Sequence, residues 1–224
     1  MDTLDVLHRS IRHTHDVLAD RLDGARAMIA TPGQPRKNFE DVDTFLAMTS
    51  KHLSAVDAVL VPAAQKLVPD GAVLVHDYVR SERDLEIALT HVKARAYGST
   101  YEAGRPWSVE WADVADALGR QRTSEDGLAD RLADTLDGPA LDDLTERLHR
   151  AESTGWTRPH PYAPHTGLAG KVSRRVMHTV DAFWDETEGR MVPVPDRPRR
   201  EKPGLFTQYF LADPRFEEEE PPPE

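Results

Sequence analysis

Histidines and acidic residues fall on the faces that the apolar pattern predicts to be buried along the first half of the chain. Imidazole nitrogens and carboxylate oxygens that point inward from facing helices are the donors from which helical bundles build iron and manganese sites. The candidate metal ligands among them are His15, His52, Asp57, His76 and Glu125. The residues by themselves specify no particular metal or other cofactor.

The stretch from His52 to Pro62 is the centre of this pattern, because it combines a histidine, an acidic group and an apolar stripe. Asp57 follows His52 by five residues, so in a helix it is rotated away from the face of the histidine. The two side chains therefore cannot chelate one ion as an i, i+4 pair would.

Four long helices are predicted from apolar residues that recur at steps of three and four. The pattern is interrupted by Thr-Pro-Gly at 31–33, Val-Pro-Asp-Gly at 68–71, Gly98 and Asp-Gly-Pro at 137–139. Long helices joined by short connections predict an all-α, antiparallel four-helix bundle.

The chain divides into three predicted parts. Residues 1–137 form the bundle, and residues 138–190 form an extension with two additional helices, at about 140–152 and 167–189, separated by a Pro- and His-rich loop. Residues 191–224 are Pro-rich and acidic, which predicts a partly disordered tail.

Composition narrows the class of protein. The 224 residues carry a formal net charge of -11, which disfavours nucleic acid and anionic membranes as partners. There is no cysteine, so disulfides and thiolate metal sites are excluded. No apolar run reaches the length of a membrane span and no signal sequence is evident, so a cytoplasmic location is the default expectation.

The order of these residues resembles the hemerythrin-like (HHE cation-binding) family over about residues 4–135. That family has a histidine on its first helix and the pattern H-x3-E-E-x3-F-P on its second. The matching positions here are His52, Val56, Asp57, Val61 and Pro62, and the counterpart on the fourth helix is Gln121, Glu125 and Asp126. Departures occur where the family has ligands, at Val56, Arg83 and Gln121.

Two functions from different classes follow from the resemblance and its departures. A complete site would imply an iron-binding protein that handles oxygen, peroxide or nitric oxide. The substituted positions favour instead a degenerate metal site in a binding or regulatory module that is not an enzyme. Such a module could engage a protein partner through the C-terminal helix and tail.

The third helix leaves further alternatives open. With His15 and His52, residues His76 and His91 could form a displaced mononuclear site. Arg83 could instead serve as a built-in cation that pairs with a leftover carboxylate, since an unpaired buried charge is costly. The alternative to both hypotheses is that these histidines only pack in the core, as a histidine on an apolar stripe more often does.

Overall fold

The computed structural model describes residues 5–27, 39–96 and 105–161, all within a compact unit of residues 1–194. The described residues form five α-helices and no strand. The helices are α1 (Val6–Arg26), α2 (Glu40–Leu67), α3 (Gly71–Ala96), α4 (Trp107–Ala133) and α5 (Gly138–Ser153). The all-α prediction is confirmed, whereas the predicted helix at 167–189 and the tail lie outside the described residues.

Local sequence signals set the ends of the helices. The Asp5 carboxylate accepts a hydrogen bond from the backbone N–H of His8 and caps α1, and Asp137 caps α5 in the same way. Between α2 and α3 the chain turns through Asp70, whose φ of 57° is in the left-handed region. Pro62 lies inside α2, as predicted, and does not end it.

α2 is the central helix, since it packs against each of the other four. Buried residues face its neighbours around most of its circumference, from Val42 to Ala64. α1 also packs against α4 and α5, and α3 packs against α4. A helix enclosed on several sides places its side chains out of reach of water, which matters for the polar residues that it carries.

Two apolar clusters form the core. Representative members of the first cluster are Leu7, Ile11, Leu60, Tyr78, Leu128 and Leu148. Representative members of the second cluster are Leu18, Leu22, Phe45, Leu89, Trp111 and Leu118. Along α1 and α3, residues of the first cluster precede those of the second, and along α2 and α4 the order is reversed.

A set of buried polar residues lies where α1, α2, α3 and α4 pass from one cluster to the other. We call it the buried polar layer, and its members are His15, His52, Glu82, Gln121 and Glu125. Each has a relative exposure of 2% or less. Polar groups enclosed by apolar clusters on both sides need partners within the protein, because water cannot satisfy them.

Within the part of the chain that the structure describes, no helix has both the length and the apolar character needed to cross a bilayer.

Candidate metal centre

Three helices bring their polar side chains to one point in the buried polar layer. His15 from α1 and His52 from α2 each place Nε2 3.0 Å from Oε2 of Glu125, which α4 contributes. The two imidazole rings are 5.2 Å apart and nearly perpendicular. These three residues are also the group of described side chains whose donor atoms lie close enough together to hold a metal ion.

Gln121 extends the contact one helical turn along α4. Its Nε2 donates to the same Oε2 of Glu125 at 2.9 Å and lies 3.5 Å from the hydroxyl of Tyr78 on α3. A single carboxylate oxygen is therefore approached by three nitrogens from three helices. Gln121 and Glu125 are four residues apart on α4, the spacing that places two side chains on one face of a helix.

The ionisation of this group follows from its partners. Burial disfavours a charge on His52, but the charge of Glu125 and hydrogen bonds to Glu125 and Glu152 outweigh it and raise the pKa of His52 to about 10. Burial also disfavours a charge on Glu125, but the charges of His52 and His15 hold its pKa well below the usual range. At neutral pH the centre therefore contains an imidazolium and a carboxylate.

Further carboxyl groups lie on the α2 and α3 side of the layer. Burial is the main cause that raises the pKa of Glu82 well above its ordinary value, and the nearby charges of Asp57 and Glu86 add to it. Tyr78 is also buried, and its burial raises the pKa of its hydroxyl. The nearby charges of Glu82, Glu125 and Asp57 raise that pKa further. The raised pKa of Glu82 favours the protonated form of Glu82, which limits the negative charge on this side of the layer.

α5 and the segment after it close one side of the layer. Glu152 of α5 is buried, and its Oε1 lies 2.9 Å from Nδ1 of His52. Further along, the backbone N–H of His160 donates to Oε1 of Glu86 at 3.1 Å. Both nitrogens of the His52 ring are consequently bound by carboxylates, one from α4 and one from α5.

The donor set fits a divalent transition-metal ion. His15, His52 and Glu125 each offer one ligand atom, and these three atoms all lie within 4.8 Å of one another, close enough together for one ion. Three buried atoms of the layer, His15 Nδ1, Gln121 Oε1 and Glu125 Oε1, have no hydrogen-bond partner among the described residues. Two imidazoles and one carboxylate are the protein ligands typical of mononuclear non-haem iron(II).

The structure brings together three of the five predicted ligands and places a fourth nearby. His15, His52 and Glu125 meet directly, and Asp57 is buried beside Glu82. His76 does not join them, because its side chain is 77% exposed and contacts the neighbouring Asp77. The expectation that His76 faces inward is therefore wrong, and a displaced site built on it has no support from this geometry.

The Arg83 hypothesis is not supported by the geometry either. Arg83 lies on the exposed side of α3, and the positive partner of Glu125 is His52 instead. The inward face of α3 is defined by Tyr78, Glu82 and Leu85. The cation that balances the buried carboxylate is thus one of the predicted ligands themselves.

Sequence reasoning missed Glu82 and Glu152, although both carried a signal. The large buried apolar residues of α3 are Val75, Tyr78, Leu85, Leu89 and Val92, and position 82 continues their alternating steps of three and four. On α5, Glu152 follows the buried leucines at 141, 144 and 148 at the same kind of step. An acidic residue that occupies a core position in such a stripe is a candidate for a buried site.

No protein-family model, curated protein or solved structure matches this chain. The function must therefore be inferred from the chemistry of the buried polar layer.

Proposed function

We propose that this protein binds one divalent transition-metal ion through His15, His52 and Glu125, and that iron(II) is the ion best suited to this donor set. The observation that supports it is the convergence of both histidine Nε2 atoms on one carboxylate oxygen, at 3.0 Å each, in a layer closed to water. Beside this point, His15 Nδ1 and Glu125 Oε1 are buried and have no hydrogen-bond partner among the described residues.

The proposed architecture is a hemerythrin-like antiparallel bundle of α1 to α4, to which α5 is added. The reversed order of the two apolar clusters along successive helices supports it, as does the origin of the three ligands on α1, α2 and α4. The family resemblance suggests that a bound iron would supply redox chemistry toward oxygen, peroxide or nitric oxide. Around such an ion, Gln121 would orient Glu125, and the two apolar clusters would exclude bulk water.

A second candidate function is a metal-free binding or regulatory module, the degenerate form of such a bundle. It is favoured by the position of His52, whose two nitrogens contact Glu125 and Glu152. Protonated His52 then balances the buried carboxylate without a metal. The C-terminal helix and tail proposed to dock a protein partner lie outside the described residues.

Metal content separates the two functions. Protein purified without an affinity tag or chelator is analysed by mass spectrometry, alongside the variants His52→Ala and His76→Ala. We expect near-stoichiometric metal in the wild type and in His76→Ala, and loss of metal from His52→Ala. His76→Ala is the matched control, because it removes an exposed histidine from the same protein.

A second arm tests binding directly. The chelator-treated protein is titrated anaerobically with iron(II) and with cobalt(II), whose visible absorption reports its ligands. Saturable binding of one equivalent in the wild type, absent in a folded His52→Ala variant, supports the metal centre. If the folded wild type binds neither ion, the metal proposal is wrong and the second candidate function stands.

A further inference from the structure

A carboxylate from outside the four longer helices reaches the buried polar layer. Glu152 is on the last turn of α5, and its relative exposure is 2%. Its Oε1 lies 2.9 Å from Nδ1 of His52, the nitrogen on the opposite side of the ring from the one that faces Glu125. The carboxylate therefore contacts a proposed metal ligand without facing the proposed metal position.

α5 is held in one place by two kinds of contact. Its leucines at 141, 144 and 148 belong to the first apolar cluster, together with residues of α1, α2 and α4. At its outer side, Nε2 of His149 lies 2.6 Å from the hydroxyl of Ser10 on α1. Glu152 is thus carried on a docked helix, so the position of its carboxylate is well defined.

The chain that follows α5 keeps Glu152 close to His52. Gly155 approaches α2 so closely that a Cβ on it would lie 2.8 Å from the carbonyl oxygen of Lys51, the residue before His52. Trp156 is then buried, with a relative exposure of 1%. The segment from Glu152 to Trp156 therefore lies directly against the turn of α2 that carries His52.

We infer that Glu152 is a positioning residue for His52, and that the metal centre is completed by α5. This inference rests on the proposed function of His52 as a metal ligand. By accepting the Nδ1–H hydrogen bond, Glu152 fixes the orientation of the imidazole and keeps the proton on Nδ1. A metal that displaces the Nε2 proton would then bind at Nε2 while Nδ1–H stays bonded to Glu152, as in the carboxylate–histidine–metal arrangements of known metal sites.

The test compares three variants. Glu152→Met has a similar volume but no strong acceptor, Glu152→Gln retains an acceptor oxygen, and His149→Ala removes the polar contact of α5 with α1 without touching His52. The first measurement is the affinity for cobalt(II). We expect a loss of about 10- to 100-fold in Glu152→Met, typical of a lost outer carboxylate. A smaller loss is expected in Glu152→Gln, and His149→Ala should keep the wild-type affinity.

The second measurement needs no metal. In the chelator-treated protein, the Nδ1–H proton of His52 is expected as a slowly exchanging signal in the NMR spectrum. It should persist in His149→Ala and Glu152→Gln and disappear in Glu152→Met. A purely structural role for Glu152 would leave this signal unchanged in every folded variant.

Several outcomes would overturn the inference. Equal affinities for Glu152→Met and His149→Ala would show that Glu152 only helps α5 to dock. If Glu152→Met does not fold, an unchanged affinity in Glu152→Gln would refute a requirement for the carboxylate, and a reduced one would support it. If the wild type binds no metal, the proposed function fails, whereas the Nδ1–H signal still shows whether Glu152 holds the His52 ring.

Discussion

Removing the charge of Glu125 tests how much the buried polar layer contributes to the stability of the fold, because three nitrogens from three residues contact its Oε2. Glu125→Gln keeps the size and shape of the side chain but removes the negative charge. In the metal-free protein, His52 is hydrogen-bonded to two carboxylates, Glu125 and Glu152, and the substitution leaves Glu152 as the charged one of the two. The variant therefore measures what the buried charge pair contributes to folding.

The size of the effect follows from the burial of both groups, since the side chains of His52 and Glu125 are 2% and 0% exposed. Breaking a buried ion pair by removing one partner costs roughly 3–5 kcal/mol. The lower end applies here because Glu152 still compensates His52, so we expect a loss of about 3 kcal/mol in the free energy of unfolding. For a chain of about this size, that lowers Tm by about 6–12 °C.

Urea unfolding at pH 7 after chelator treatment measures this loss. The matched control is Glu146→Gln, since Glu146 is a half-exposed carboxylate 3.9 Å from Arg150 on α5. Surface pairs of this kind contribute about 0–1 kcal/mol, so the control should unfold almost as the wild type does. If Glu125→Gln lost no more stability than Glu146→Gln, the buried pair would not stabilise the fold and the reasoning would be refuted.

Two further predictions concern the pH dependence of stability and close packing. Burial opposes a charge on His8, but hydrogen bonds to the carboxylates of Asp5 and Asp130 outweigh it and raise the pKa of His8 above 6.5. The contribution of charged His8 to the free energy of unfolding is therefore complete below pH 6.5 and is lost as the pH rises through the raised pKa. His8→Gln should therefore lose less stability than the wild type between pH 6 and 9 in urea unfolding, and equal losses would contradict this. Gly155→Ala should destabilise by about 1–3 kcal/mol because its Cβ would lie 2.8 Å from the Lys51 carbonyl oxygen. Gly127→Ala has open space and should be neutral or stabilising by up to about 1 kcal/mol, and similar effects at both positions would rule out the packing explanation.

The sequence predicted the helices well because their signals are local. Apolar steps of three and four identified all five helices of the described residues, and Pro62 was correctly kept within α2. The breaks between helices contain glycine and proline, whose backbone restrictions act over a few residues. The prediction of an all-α protein thus depended on the spacing of apolar residues and on glycine and proline breaks, which are set by residues close together in the sequence.

The candidate centre was predicted only in part, because the inward face of α3 was assigned incorrectly. His76 has the chemistry of a metal ligand, but it does not continue the stripe that includes Tyr78 and Leu85. A rotation of about 100° per residue separates an inward position from an outward one. Position 82 continues the stripe, but an acidic residue there matched the expectation of a solvated surface rather than of a core.

Residue type and helical periodicity are properties of the chain, so they predicted the helices and three of the side chains that meet in the buried polar layer, His15, His52 and Glu125. Which side chains contact each other depends on the packing of the helices. Oε2 of Glu125 lies 3.0 Å from Nε2 of both His15 and His52, across separations of 110 and 73 residues. Glu152 joins His52 from 100 residues away. Such contacts depend on how the helices pack, and side-chain packing between distant segments leaves no local pattern in the sequence.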